Sequence, residues 1–243
     1  MDRLIAIFGD VHANIEALEA VLADCAAAGA TEYLCTGDVV GYNASPHECI
    51  CRVRALGCPV VKGNHDHYVS SRQNLADFHP NAAAVVEWTR GNISVEEMLW
   101  LRNLPYTAIR TGICVVHATM DHPEDFGYVF DHLQAEASFF CQRTPVCFHG
   151  HTHCPVMYEK QLGGVYRIDA QDYTLPIGRQ YFINVGSVGQ PRDGDPRASY
   201  VLYDPRARTV RFRRVEYDIA SAQRRIREAG LPERLAQRLE EGT

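Results

Sequence analysis

Leu4-Ile5-Ala6-Ile7-Phe8-Gly9-Asp10-Val11-His12 decides how this chain is read: five apolar residues, a glycine, then a carboxylate and an imidazole two residues apart. A short apolar run closed by a turn residue reads as a buried strand. From Asn14 to Gly29, Ile15, Leu18, Val21, Leu22 and Cys25 fall on one helical face, with Asn14 suited to the N-cap and Gly29 to the stop. Tyr33 to Thr36 repeats the strand, Pro46 to Leu56 behind Ser45 repeats the helix, and Val60 to Lys62 reads as a third short strand. The opening is therefore βαβαβ, the mark of a layered α/β fold.

Further along, Pro80 to Leu104 reads as helical, with Ser94 and Glu97 as a capping box, and Ile113 to Val116 returns to strand. A helix near Asp131 to Gln142 precedes a strand from Val146 to Phe148. After His153 the runs are short: Val156 to Tyr158, Val165 to Ile168, Tyr181 to Val185, Tyr200 to Tyr203 and Val210 to Val215. They predict an antiparallel continuation of the sheets. Ile219 to Leu239 carries Arg and Glu at helical spacing and predicts one or two surface helices. No repeat or flexible linker interrupts residues 1–243, so one domain is expected.

The 243 residues, 46% hydrophobic and 22% charged, fit a globular chain and exclude a disordered or fibrous one. A net charge of −6 argues against a dedicated nucleic-acid surface or an anionic-membrane binder, while leaving room for a local cationic pocket. No apolar run reaches the ~18 residues of a membrane span and the first residues lack signal-peptide form, so a cytoplasmic location is expected. Nine cysteines without a CxxC pair, several inside apolar runs, read as reduced thiols.

Of six strand-like runs up to Phe148, all but the one near Tyr106 to Ile109 end in residues able to hold a metal: Asp10 and His12, Asp38, Asn64 and His65, His117, and His151 with His153. Ligands in α/β sheets bind beyond the carboxyl ends of strands, where segments distant in sequence converge. Asp10 and His12, like His151 and His153, are two residues apart, which in extended backbone turns both side chains the same way. Gly9, Gly37, Gly63 and Gly150 each precede a candidate ligand, at turns expected to need positive φ. His47, His67, His79, His122, His132 and His149 carry no such pattern and read as ordinary core or surface residues. Trp88 to Leu104 reads as core.

Taken together, Gly9-Asp10-Val11-His12, Gly37-Asp38-Val39-Val40, Gly63-Asn64-His65-Asp66, Val116-His117 and Gly150-His151-Thr152-His153 resemble, in order, the five motifs of the calcineurin-like metallophosphoesterases. The stretch Asn184-Val185-Gly186-Ser187 through Gln190-Pro191-Arg192 is similar to the small bacterial phosphodiesterase branch. The resemblance implies a four-layer α/β sandwich: two mixed β-sheets face to face, flanked by helices, with a dinuclear metal site at the C-terminal ends of strands. It implies one metal held by Asp10, His12 and His153, a second by Asn64, His117 and His151, and Asp38 bridging both. This nitrogen and oxygen donor set suits Mn, Fe, Co, Ni or Zn over an all-oxygen Mg or Ca cage. Two such ions acidify a shared water and clamp both oxygens of a phosphoryl displacement.

By the same resemblance His65 faces the substrate, as proton donor to the leaving group or stabiliser of phosphoryl charge, with Asp66 available to orient its ring. Arg192, between Pro191 and Asp193 in an irregular stretch, is expected to reach the pocket and bind a phosphate oxygen, or else to pair with Asp193 or Asp195 at the surface. Phosphoprotein phosphatases of the superfamily resemble an Asp-Arg-Gly pattern after the bridging Asp; here Gly41-Tyr42-Asn43 stands instead, which argues against a phosphoprotein or dinucleoside-tetraphosphate substrate.

The expected partner is a small phosphate ester, and the expected activity is that of a phosphodiesterase or phosphatase. Oligomeric state is left open, a homo-oligomer included. The competing reading is a metal-bound interaction scaffold without turnover, as in a retromer subunit of similar fold that lacks the histidine corresponding to His65. Neither GxGxxG nor GxxxxGK[ST] occurs to support a nucleotide-binding module.

Overall fold

A computed structural model describes residues 3–71, 75 and 80–243. His79 lies outside the described residues. In chain order the elements are β1 (Ile5–Phe8), α1 (Ile15–Ala27), β2 (Glu32–Cys35), α2 (Pro46–Ala55), α3 (Asn64–Ser70), α4 (Pro80–Gly91), α5 (Val95–Arg102), β3 (Thr107–Arg110) and β4 (Ile113–Val116). There follow α6 (His132–Cys141), β5 (Val146–His149), β6 (Val156–Gln161), β7 (Gly164–Asp169), β8 (Tyr173–Thr174), β9 (Gln180–Asn184), β10 (Ala198–Asp204), β11 (Thr209–Val215), α7 (Ile219–Glu228) and α8 (Glu233–Glu241).

The strands form two mixed sheets, ordered β2-β1-β10-β11-β8 and β3-β4-β5-β9-β6-β7. Alternation along each strand builds the layers. Ile5, Ile7, Leu34, Val115, Phe148, Ile183 and Val201 point between the sheets into one apolar core. Ala6, Phe8, Cys35 and Leu202 face outward and bury against Leu18, Val21 and Ile50 of α1 and α2. On the opposite outer face, Cys114, Cys147 and Phe182 pack on Ala135 and Phe139 of α6. The fold is α/β, with two sheets flanked by helices.

Three local expectations change. Val60 makes a single parallel bridge to Cys35 rather than a strand. Pro59 has no N–H to extend a ladder backward, and the Lys62 N–H goes to Pro105 O. β9 pairs parallel with β5 on one side and antiparallel with β6 on the other, so the continuation after His153 is only partly antiparallel. The C-terminal helices are more than surface dressing: Ile226, Leu235 and Leu239 pack with Val85 of α4 and against Tyr42. All nine cysteines are free.

Candidate metal centre

The carboxyl ends of β1, β2, β4, β5 and β9 meet along one edge of the two sheets. Hydrogen bonds stitch their loops together: Gly150 N donates to His117 O, Gly189 N to Asp10 O, and Asp10 N to Gly37 O. The His151 N–H donates to the Asp10 carboxylate at 3.0 Å, and the His65 N–H to Asp38 Oδ1 at 2.8 Å. Buried backbone donors thus hold the carboxylates of two strands in place.

The backbone around these groups is strained. Asp10, His12, Ala13, Asp38, Tyr42, His151 and His153 all have positive φ, between 47° and 71°. Non-glycine residues rarely adopt this region, and such strain gathers at functional sites. Of the four glycines expected to turn the chain, only Gly37 has positive φ, +93°. The others supply space: a Cβ on Gly63 would stand 2.0 Å from Asp38 Oδ1, and one on Gly150 2.1 Å from Asp10 Oδ2. The strain sits on the acidic and imidazole residues themselves, and the glycines let their carboxylates in.

The seven side chains named from the sequence converge. Asp10, His12 and His153 form one group, with His153 Nε2 3.2 Å and His12 Nε2 3.7 Å from Asp10 Oδ1. Asp38, His117 and His151 form another, and Asn64 Oδ1 lies 3.1 Å from His117 Nε2. Asp38 Oδ2 lies between them, 3.6 Å from His12 Nε2 and 3.4 Å from His117 Nε2.

Their protonation fits a cation site. His12 Nδ1 faces Val40 O, His153 Nδ1 faces Gln190 O and His117 Nδ1 faces Thr36 O. A carbonyl only accepts, so each Nδ1 carries the hydrogen, and the neutral rings of His12 and His153 present a lone pair at Nε2. His12 Nε2 and His153 Nε2 consequently point lone pairs at each other across 3.0 Å, an arrangement that calls for a cation. Burial holds both rings well below the ordinary imidazole range and His151 at about 3. Against burial, Asp38 lifts His117 to about 9, a proton held where a metal ion would compete. Asp38 itself stays well below the usual carboxylate range, burial being outweighed by His117 and His65.

His65 is buried beside this cluster, its Nδ1 without a hydrogen-bond partner and its ring 4.4 Å from that of Tyr42. Asp66 does not orient that ring. Its carboxylate accepts from the backbone N–H groups of Val39, Val40 and Gly63, and burial raises it to about 7. Arg192 lies at the site: its guanidinium is 5.4 Å from the Tyr42 ring centroid and donates to Gln190 Oε1. Asp193 pairs with Arg214 and Asp195 with Arg197, so the surface ion pair foreseen for Arg192 is taken by others.

Sequence reading missed the aromatic rim. Tyr42 covers His12 and His65, Tyr128 lies 4.2 Å from the His151 ring, and Phe126 is 6.0 Å from His117. Isolated loop aromatics have no periodicity to give them away. His149 is buried and stacks on Phe182 at 4.0 Å, a core residue as read.

The calcineurin-like phosphoesterase superfamily domain matches residues 4–208, and the chain belongs to this family. It is 36% identical over 241 residues to an uncharacterized protein of Methanocaldococcus jannaschii, covering 97% of each chain. The structure of a metallophosphoesterase from Sphaerobacter thermophilus is similar across 100% of both chains, with 40% identity and a TM-score of 0.88. A hypothetical protein from Pyrococcus horikoshii shares the fold over 99% of this chain and 98% of its own, at 21% identity and a TM-score of 0.80. Among the described residues no helix is long and apolar enough to cross a membrane.

Proposed function

We propose that this protein hydrolyses small phosphate esters, phosphodiesters foremost, at a centre of two divalent cations. One is held by Asp10, His12 and His153, the other by Asn64, His117 and His151, and Asp38 serves both. The observation that carries the proposal is the His12–His153 contact, two lone pairs 3.0 Å apart with both remaining ring nitrogens committed to carbonyls. When bound, such a pair of ions supplies Lewis acidity toward phosphoryl oxygens and lowers the pKa of water.

The chain's own groups do the rest. His65 faces the phosphoryl group, its ring 4.4 Å from that of Tyr42 and its Nδ1 without a partner in the protein. It gives a hydrogen bond or a proton to the leaving oxygen, while its backbone N–H fixes Asp38. Arg192, steadied by Tyr42 and Gln190, supplies positive charge to a phosphate oxygen. Asp66 is a positioning residue, holding the Val39–Val40 and Gly63 backbones in register around Asp38. An aryl phosphodiester assay on chelator-stripped protein tests the proposal. Hydrolysis restored by Mn, Co, Ni, Fe or Zn is expected; metal uptake without turnover of diesters or monoesters would leave a scaffold in its place.

A further inference from the structure

A second cluster of donors lies outside this centre, between α2 and α5. His47 and Cys51 stand four residues apart on α2 and so share one helix face. Glu97, in the first turn of α5, meets them: His47 Nδ1 lies 2.6 Å from Glu97 Oε1, and Cys51 Sγ lies 3.9 Å from the same Nδ1 and 4.0 Å from Glu97 Oε1. The sulfur is too distant for a strong hydrogen bond to either, yet all three donor atoms fall within 4.8 Å of one another.

We propose that His47, Cys51 and Glu97 form a separate binding site for a borderline divalent cation such as zinc, with the fourth position open to water. Bond lengths of about 2.3 Å to sulfur and about 2.0 Å to nitrogen and oxygen put tetrahedral donor pairs roughly 3.3–3.6 Å apart. The observed separations bracket that span, and exposed His47 and Cys51 side chains need only rotamer adjustments to close on it.

Glu97 is the fixed point. Its side chain is 5% exposed, and its Oε2 accepts the Ser94 N–H in the capping box, leaving Oε1 aimed at the cluster. Burial notwithstanding, the Ser94 hydrogen bonds and His47 keep its carboxyl below the usual glutamate range, so it offers an anion at neutral pH. Nearby cations are engaged elsewhere, Arg54 with Glu96 and Arg52 with Glu19. One thiolate and one carboxylate then balance a divalent charge, and metal binding displaces the thiol proton. The site would clamp α2 to α5. The loop preceding α2 carries Tyr42 over the metal centre, so the clamp also steadies that loop.

Cobalt titration of the chelator-stripped full chain tests the proposal independently of catalysis, because the donors proposed for the main centre are nitrogen and oxygen alone. A sulfur-to-cobalt charge-transfer absorption with the intensity of one thiolate-bound cobalt per chain is expected, and it should be bleached by zinc. Cys51→Ser should abolish it, and Glu97→Gln, which keeps the capping box, should weaken cobalt binding by more than about tenfold. Absence of the absorption in the parent chain, or its persistence in folded Cys51→Ser, would overturn the site.

Discussion

Several side chains of the centre are left a single task by their neighbours. His65→Ala is expected to keep the fold and metal content and to lower kcat by about 10²–10⁴-fold, with a smaller change in KM. The loss should be larger for an alkyl than for a nitrophenyl ester if His65 gives a proton; an equal loss assigns it to charge stabilisation, and unchanged kcat for both removes it from the reaction. Gly63→Ala probes the space beside Asp38, since its Cβ would lie 2.0 Å from Oδ1. Metal content should fall and stability drop by about 1–3 kcal/mol, whereas full metal content would contradict the close approach. Asp10, Asp38 and His151 were legible because each follows an apolar strand and a glycine, a local pattern, and His117 because it ends the apolar run Ile113 to Val116. Tyr42, Tyr128 and the Val39 and Val40 N–H groups that donate to the Asp66 carboxylate were not, because tertiary packing alone brings them together.

Among the elements, β1, α1, α2 and α6 followed from apolar spacing to within a residue or two; Asn14 and Asp131 cap α1 and α6 as read, whereas Ser45 gives α2 no side-chain cap. The α3 helix escaped because Asn64–Ser70 is short and polar, without an apolar stripe; Asp66 starts it by reaching back to the Gly63 N–H. In the loop before β10, Arg197 beside Asp195 holds its carboxyl at about 2, against an ordinary 3.8. Between these values the unfolded chain binds more protons, so stability rises with pH there. The contribution is complete above about pH 4 and is lost as the pH falls through about 2. As a screened surface pair it is worth about 1 kcal/mol or less. Urea unfolding of Asp195→Asn should show a small deficit at pH 7 that narrows toward pH 3; a deficit constant over that range would assign it to something other than this ionisation.

Across the whole molecule, the sheets share a core in which Phe148 of one meets Tyr203 of the other, ring centroids 5.7 Å apart. We propose that residues 1–243 fold as one unit. Phe148→Ala should cost about 3–5 kcal/mol and leave a single unfolding transition by both circular dichroism and fluorescence; two separated transitions would contradict the unit. The layered α/β architecture was legible in the alternation of strands and helices. The parallel place of β9 and the packing of α7 and α8 on Tyr42 were not, since both depend on contacts far apart in sequence. The whole arrangement serves one edge, where Asp38 stands between two groups of donors. Metal analysis of Asp38→Asn against His153→Ala and the parent chain measures that directly. With Cys51→Ser in every chain, so that the site between α2 and α5 adds nothing, two equivalents are expected without a further substitution, loss at both positions in Asp38→Asn, and loss of one equivalent in His153→Ala. Equal metal content in Asp38→Asn and the parent would contradict the shared carboxylate and with it the account of the site.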